Sequence, residues 1–168
     1  GRVEEAIAVY ADLSEEFGDD QYQFERGRLF AHLGAEGSAT EAFQLYVDSA
    51  PSKKEATERM LEVASRAERL GAMTVAVQFY DQAIAGMSEA SVRRAKLHRT
   101  LAVLFLAAQM SDQGATHLSM FLADMAEVRG GKAAAQDFVD AATSASANRA
   151  PQLAIAFLEE AITVAQPN

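Results

Sequence analysis

Cysteine is absent from this chain, and proline occurs only three times among its 168 residues. Without cysteine the chain forms no disulfide and carries out no thiolate chemistry, and its composition fits the bacterial cytoplasm and the periplasm equally well. Long apolar runs are also lacking. The longest covers residues 101–108, far shorter than the roughly 20 residues that a membrane-spanning helix needs. We therefore expect no direct membrane insertion.

Positive charge is scarce as well. The chain has 15 Lys and Arg residues against 24 Asp and Glu, which gives a net charge of −9. Because a surface of this sign disfavours non-specific binding to nucleic acid, no nucleic-acid partner is expected. Apolar residues make up 49% of the sequence, which argues against a disordered chain. No useful length alternates with a period of two, so no sheet is predicted.

A short pattern recurs along the first half of the chain: glycine, then alanine five positions later, then tyrosine four positions after that. A recurrence at 34 to 36 residues is typical of helical repeat arrays. The three copies are Gly1, Ala6, Tyr10; Gly37, Ala42, Tyr46; and Gly71, Ala76, Tyr80.

The chain begins inside the first copy of this pattern, without methionine and without a signal peptide. We interpret it as an internal fragment of a longer repeat protein. Its alanine-rich, cysteine-free and acidic composition resembles that of bacterial proteins.

Apolar periodicity and the positions of glycine and proline predict nine helices and no strand. An orphan helix at 1–17 is followed by helix pairs at 20–50, 53–86, 91–128 and 132–166, all within one array over 1–168. The helices are predicted at 1–16, 21–33, 38–49, 54–70, 73–85, 91–110, 112–128, 133–147 and 151–165.

The helix pairs resemble the tetratricopeptide repeat. Gly71, Ala76, Tyr80 and Ala83 match the four positions of that family's turn and second helix, and the preceding helix matches at Met60, Val63, Ala64 and Ala67. A further match to the first-helix pattern lies at Phe138, Ala141, Ala142 and Ala145, and weaker copies of the recurring pattern start at Asp112 and Arg149. The resemblance implies an all-α fold, a right-handed α-α superhelix of antiparallel helix pairs. Phe30 and Phe105 depart from it, because they occupy positions that are usually small.

The resemblance also implies a function, since such arrays bind partners on the concave surface that the first helix of each pair lines. The chaperone-tail clamp of the family is missing, because its Lys and Asn positions are Gly27, Ala31, Leu61 and Ser65 here. The residues expected to face a partner are Phe24, Arg28, Glu58, Ser65, Arg69 and Arg99.

A basic cluster begins the sixth predicted helix, at Arg93, Arg94, Lys96, His98 and Arg99. One interpretation is a docking point for an acidic partner segment, with Arg93, Arg94 and Arg99 as the contacts. The other is a solvated basic turn that pairs with carboxylates of the neighbouring repeat.

Catalytic and metal-binding patterns are missing, so neither an enzyme nor a metal or other cofactor is predicted. We interpret the chain as a non-enzymatic protein-interaction scaffold, of the kind that serves bacterial secretion, envelope assembly or exopolysaccharide export. Self-association through an uncovered first helix, at Val3 and Ile7, is a further expectation. Two alternatives remain: a ligand- or peptide-sensing regulatory module, and a helical enzyme or saccharide-handling domain that would use Asp137, Asp140 and His117 together.

Overall fold

The computed structural model describes residues 1–147 and 151–165, and over these ranges it contains nine helices and no strand. The predicted all-α architecture of nine helices is therefore confirmed. The helices are α1 Arg2–Phe17, α2 Gln21–His32, α3 Glu36–Asp48, α4 Lys53–Leu70, α5 Met73–Ala85, α6 Val92–Ala107, α7 Ser111–Arg129, α8 Gly131–Ala147 and α9 Pro151–Ala165.

Local sequence explains several of the helix ends. Ser52 and Ser91 cap α4 and α6, where each hydroxyl oxygen accepts a hydrogen bond from the backbone N–H three residues later. Gly71 ends α4 with a φ of 77°, a left-handed conformation that glycine adopts without a steric penalty. The helix α6 ends at Ala107, three residues before the predicted end, because Gln109 takes a positive φ and turns the chain.

The second copy of the recurring pattern is placed differently from the third. Gly34, with a φ of 72°, provides the left-handed turn residue between α2 and α3. Gly37 lies inside α3, which begins two residues earlier than predicted. Gly37 is thus a helical residue, whereas Gly71 is a true turn glycine.

The chain divides into two compact units, Gly1–Gly86 and Met87–Asn168. In the first, unit 1, the main packing joins α2 to α3 and α4 to α5, and α1 packs on α2. In addition, α2 contacts α4 and α3 contacts α5. The first helices of the two pairs are therefore neighbours, as are the second helices, which is the stacking of a helical repeat.

Aromatic rings run through the core of unit 1. Phe43 is fully buried between Phe24 and Phe79, with ring centroids 5.6 Å and 6.2 Å away. Small residues bring the helices close around these rings. The buried small and aliphatic residues are Ala31, Ala39, Ala42, Val47, Val63, Ala64, Ala67, Ala72, Val75, Ala76 and Ala83.

In unit 2, the second unit, α6 packs on α7 and α8 packs on α9, with smaller contacts between α7 and α8. Phe121 lies at the centre of its core, edge-on to Phe138 at 5.7 Å and to Phe157 at 6.0 Å. Residues predicted from the first-helix pattern, Phe138, Ala141, Ala142 and Ala145, are all buried here. Arg149, where the last copy of the pattern starts, and the predicted pair boundary at 166 lie outside the described residues. That the two units continue one array stays a prediction.

Candidate functional site

The residues that the resemblance pointed to in unit 1 lie on α2 and α4, two helices that contact each other. Glu58, Ser65 and Arg69 follow one another at seven and four residues, so they lie along one side of α4. Glu58 and Arg69 are exposed and Ser65 is half-buried. Arg28 contributes from α2, where its Nε donates to Glu25 Oε2 at 2.7 Å. We call this set, Arg28, Glu58, Ser65 and Arg69, the α2/α4 surface.

Phe24 does not belong to that surface. Its side chain is 2% exposed and packs against Phe43 and Tyr46, with centroid distances of 5.6 Å and 5.1 Å. The side chain therefore holds α2 on α3 and has no access to a partner. The resemblance placed Phe24 on a first helix, α2, but it did not show which side of α2 packs on α3.

An arginine that sequence reasoning missed joins three segments beside this surface. One guanidinium nitrogen of Arg59 lies within hydrogen-bonding distance of three oxygens: Tyr46 O at 2.6 Å, Ser49 Oγ at 2.9 Å and the carboxylate of Asp20. Its guanidinium carbon also lies 4.5 Å from the centroid of the Tyr46 ring. Arg59 thus fixes α4 against the end of α3 and the start of α2. In the sequence, the one sign of this contact is that Asp20 and Arg59 carry opposite charges.

Two tyrosines of the recurring pattern hold carboxylates of α4. Tyr46 Oη donates to Glu62 Oε2 at 2.9 Å, and Tyr80 Oη donates to Glu68 Oε2 at 2.8 Å. Burial, followed by the hydrogen bond to Glu62, raises the pKa of Tyr46 to about 12. Burial and Glu68 raise the pKa of Tyr80 as well. Both hydroxyls therefore stay protonated and orient the acidic side chains next to the α2/α4 surface.

The basic cluster of unit 2 does not form one patch. Arg94 Nε donates to Asp124 Oδ2 at 2.8 Å and a second nitrogen donates to the other carboxylate oxygen, so α7 takes up this charge. The His98 side chain is buried. Lys96 and Arg93 are exposed and Arg99 is half-buried, and Arg93 has interactions of its own. Arg94 is consequently a packing residue, while Arg93 and Arg99 remain accessible.

The two histidines of unit 2 lie against each other between α6 and α7. His98 Nδ1 and His117 Nδ1 are 3.1 Å apart, a hydrogen-bonding distance. The His117 ring also stacks on Phe105, with centroids 5.3 Å apart and an interplanar angle of 17°. Phe105 departs from the small residue of the repeat pattern, and its ring covers this histidine. Burial, and then the neighbouring His117, lower the pKa of His98.

Each of the three residues of the enzyme alternative has a contact within unit 2, and Asp140 and His117 have further interactions. Asp137 pairs with Arg129 at 3.0 Å, Asp140 accepts a hydrogen bond from Gln136, and His117 faces His98. Among the side chains that the structure describes, no group of three or more His, Asp or Glu residues is arranged to hold a metal ion.

An open apolar groove of about 480 Å³ lies between α8 and α9. Val139, Leu158 and Ile162 are its large side chains, and they are 39%, 44% and 61% exposed. Among the described lining residues Gln136 is the polar one, so the described part of the groove offers a surface for apolar contact. The remaining lining residues are Ala135, Ala161 and Ala165.

The first helix leaves apolar side chains uncovered, although at other positions than those expected. Val3 and Ile7 are half-buried. Val9 and Phe17 are the large exposed side chains, at 54% and 63%, whereas Tyr10 stacks on Tyr22 of α2 at 6.1 Å.

No protein-family model matches the sequence, and no curated protein matches it. Among solved structures, the chain is similar to BtubC (BKLC) from P. vanneervenii, with a TM-score of 0.53 and 16% identity over 98% of this chain and 74% of BtubC. It is also similar to MamA, with a TM-score of 0.46 and 13% identity over 96% of this chain and 88% of MamA. At 16% identity, the likeness to BtubC shows a shared all-helical fold.

None of the helices in the described ranges combines the length and the apolar character that crossing a bilayer requires.

Proposed function

We propose that this chain is a non-enzymatic protein-interaction module whose α2/α4 surface contacts a partner protein or peptide. The proposal includes a role in bacterial secretion, envelope assembly or exopolysaccharide export, the settings in which arrays of the resembled family serve. The observation that carries it is the stacking of α2 on α4 and of α3 on α5 in unit 1. This packing brings into contact the two helices that carry Arg28, Glu58, Ser65 and Arg69.

The chemistry of the α2/α4 surface suits recognition of a polar, charged segment. Its charged members carry both signs: Glu58 is negative and exposed, Arg69 is positive and exposed, and Arg28 is positive and half-buried. Arg69 Nε is held by Ser65 O at 3.2 Å and Arg28 by Glu25, so both guanidinium groups are oriented before a partner arrives. Preorganised arginines lose little conformational entropy on binding and are frequent in the energetic centres of interfaces.

The test is affinity capture with the purified chain as bait, in extract of its source organism, followed by quantitative mass spectrometry. The double variant Arg28→Glu with Arg69→Glu reverses the two cations of the surface. The matched control is Arg2→Glu with Lys53→Glu, which makes the same change of net charge at two exposed positions outside the surface.

We expect the double variant to capture about tenfold less of the bound protein, or less still, because two oriented arginines together contribute at least ~1.4 kcal/mol to binding. The control should retain that protein at the wild-type level. Equal capture by both variants would exclude the α2/α4 surface as the binding site.

The second candidate is the ligand- or peptide-sensing module, and the α8–α9 groove favours it. A groove that exposes Val139, Leu158 and Ile162 suits an apolar segment. An increase in thermal stability on addition of such a ligand distinguishes sensing from passive scaffolding, because only a bound ligand shifts unfolding.

Self-association belongs to the proposal too, through the exposed Val9 and Phe17 of α1. Exposed apolar residues of this size favour contact with another apolar surface.

A further inference from the structure

Arg66 of α4 carries a buried hydrogen-bond donor that has no acceptor. Its side chain is half-buried, and its Nε atom is enclosed and has no hydrogen-bond partner. A buried N–H group without an acceptor costs free energy, and the cost is larger when the group belongs to a charged side chain. The chain accepts this cost directly beside the α2/α4 surface, because Ser65 precedes Arg66 and Arg69 follows it by one helical turn.

Two other arginines of unit 1, Arg26 and Arg59, also have an enclosed Nε atom without a partner. In both of them another nitrogen of the guanidinium group is bonded within the chain. Arg26 Nη1 donates to Gln23 Oε1 at 2.8 Å, and a terminal nitrogen of Arg59 lies against the carboxylate of Asp20. The structure describes no such acceptor for Arg66. Of these three arginines, Arg66 is therefore the candidate for an acceptor that comes from outside the chain.

Helical spacing explains why α2 supplies an acceptor to Arg59 and none to Arg66. The two arginines are seven residues apart, so they leave the same side of α4 about 10.5 Å apart along its axis. Arg59 meets Asp20 at the start of α2, where α4 also begins, so the two helices run in the same direction. Two turns after Asp20 the chain has Gly27, which has no side chain to offer, and the ring of Phe43 leaves no room for one.

The neighbours of Arg66 on α4 set the charge that an external acceptor would meet. Glu62, one turn earlier, accepts a hydrogen bond from Tyr46 Oη at 2.9 Å. Glu62 and Glu58 are both exposed and add negative charge beside Arg66, whereas Arg69 adds one positive charge. In a chain of net charge −9, an acceptor with several negative charges would be repelled. A single carboxylate between positive charges fits these surroundings better.

We propose that Arg66 is a carboxylate-binding residue that belongs to the α2/α4 surface. The partner segment presents one Asp or Glu side chain to the Arg66 guanidinium group, and basic residues on both sides of that carboxylate lie near Glu58 and Glu62. The inference rests on the proposed function, because it names the class of segment that the same surface binds. A carboxylate can accept from Nε and from a terminal nitrogen together, which is the bidentate geometry that arginine favours.

The wild-type chain tests the donor directly, by NMR of the arginine Nε–H groups assigned through the backbone at about pH 6. The probe is sodium acetate, added at an ionic strength that sodium chloride keeps constant. We expect the Arg66 Nε–H signal to shift and to reach half-saturation below about 0.1 M, because one charge-assisted hydrogen bond supports an affinity of that order. The signal of Arg2, an exposed arginine, should shift less than about a third as far.

Short peptides with blocked ends then test the class of partner. The first is Lys-Ala-Asp-Ala-Lys, the second has Asn in place of Asp, and the third has Glu in place of both Lys residues. Followed on the backbone amide signals of α4, the first peptide should bind at least about fivefold more tightly than either of the others.

Arg66→Gln should weaken binding of the first peptide to about the level of the Asn peptide, since it removes the charge and the Nε donor. Arg26→Gln is the matched control. It removes another half-buried arginine with an enclosed Nε atom, and it should leave the affinity for the first peptide unchanged. If Arg66→Gln does not fold, the acetate and peptide titrations of the wild type decide the proposal without it.

An Arg66 signal that moves no further than that of Arg2, or that moves equally with chloride alone, would overturn the proposal, and so would equal affinity for all the peptides. These results are distinct from affinity capture with Arg28→Glu and Arg69→Glu. Loss of capture together with a silent Arg66 keeps the proposed function and removes this inference. A responsive Arg66 together with unchanged capture keeps the carboxylate site and removes the proposed partner surface.

Discussion

Gly27 lies in the middle of α2, where glycine is a poor helix former, and Phe43 explains its presence. A β-carbon built on Gly27 would lie 2.5 Å from Cδ1 and 2.7 Å from Cγ of the Phe43 ring. The ring is fully buried between Phe24 and Phe79 and has no open space into which to turn. Gly27→Ala is therefore expected to destabilise unit 1.

The size of the effect is the difference between two terms. Alanine in place of glycine in a helix interior stabilises by about 1 kcal/mol. Forcing a methyl group into a well-packed core costs about 1–3 kcal/mol, and a contact nearly 1 Å too short against a rigid ring lies at the upper end of that range. The net loss in the free energy of unfolding is then roughly 1–2 kcal/mol.

Gly37→Ala is the matched control, since Gly37 is also helical and a β-carbon there meets nothing within 4 Å. It should stabilise by up to about 1 kcal/mol. Urea unfolding followed by tyrosine fluorescence measures both variants. All four tyrosines, at positions 10, 22, 46 and 80, lie in unit 1, and the chain has no tryptophan, so this emission reports unit 1 alone.

A stabilising effect of Gly27→Ala equal to that of Gly37→Ala would refute the close contact between α2 and α3. The double variant Gly27→Ala with Phe43→Leu sharpens the result. If the ring is the obstacle, the alanine should cost less in the background of Phe43→Leu than in the wild type, which a double-mutant cycle measures as a coupling energy.

Two further predictions concern buried polar contacts. Asp124→Asn should destabilise unit 2 by roughly 2–3 kcal/mol, because it leaves the Arg94 charge without its buried carboxylate. The loss of hydrogen-exchange protection in α7 measures this effect. An equal loss for Arg129→Gln, which breaks a more exposed ion pair, would contradict the prediction. The Tyr46 hydroxyl should ionise near pH 12, visible as a tyrosinate absorbance step that Tyr46→Phe removes. Because folding raises the pKa of Tyr46, the stability that its hydroxyl contributes is full below about pH 10 and is lost as the pH rises further. A wild-type tyrosinate absorbance step that is already complete near about pH 10 would count against the burial of Tyr46 beside Glu62.

The helices could be read from the sequence because their causes are local. Apolar spacing, the capping serines at 52 and 91 and the turn glycines at 34 and 71 act within a few residues of the chain. The small residues of the repeat pattern also predicted core positions, as at Ala64, Ala76 and Ala142. The exceptions were ends such as that of α6, where one non-glycine residue with a positive φ decides the boundary.

The candidate site was predicted less completely, because it depends on which residues of two helices meet. The cluster at the start of α6 looked like one basic patch in the sequence. Because α6 packs on α7, Arg94 forms an ion pair with Asp124, 30 residues later, and His98 is buried against His117. Phe24 likewise turned toward the core and not toward a partner.

The sequence by itself determined that this is an all-helical chain of paired helices, since a 34- to 36-residue recurrence and helical periodicity are one-dimensional patterns. Only the tertiary structure decided which charges are neutralised and which remain accessible, and which two histidines share a hydrogen bond. Those outcomes depend on the register and rotation of one helix against the next, which are set by packing between residues far apart in the chain.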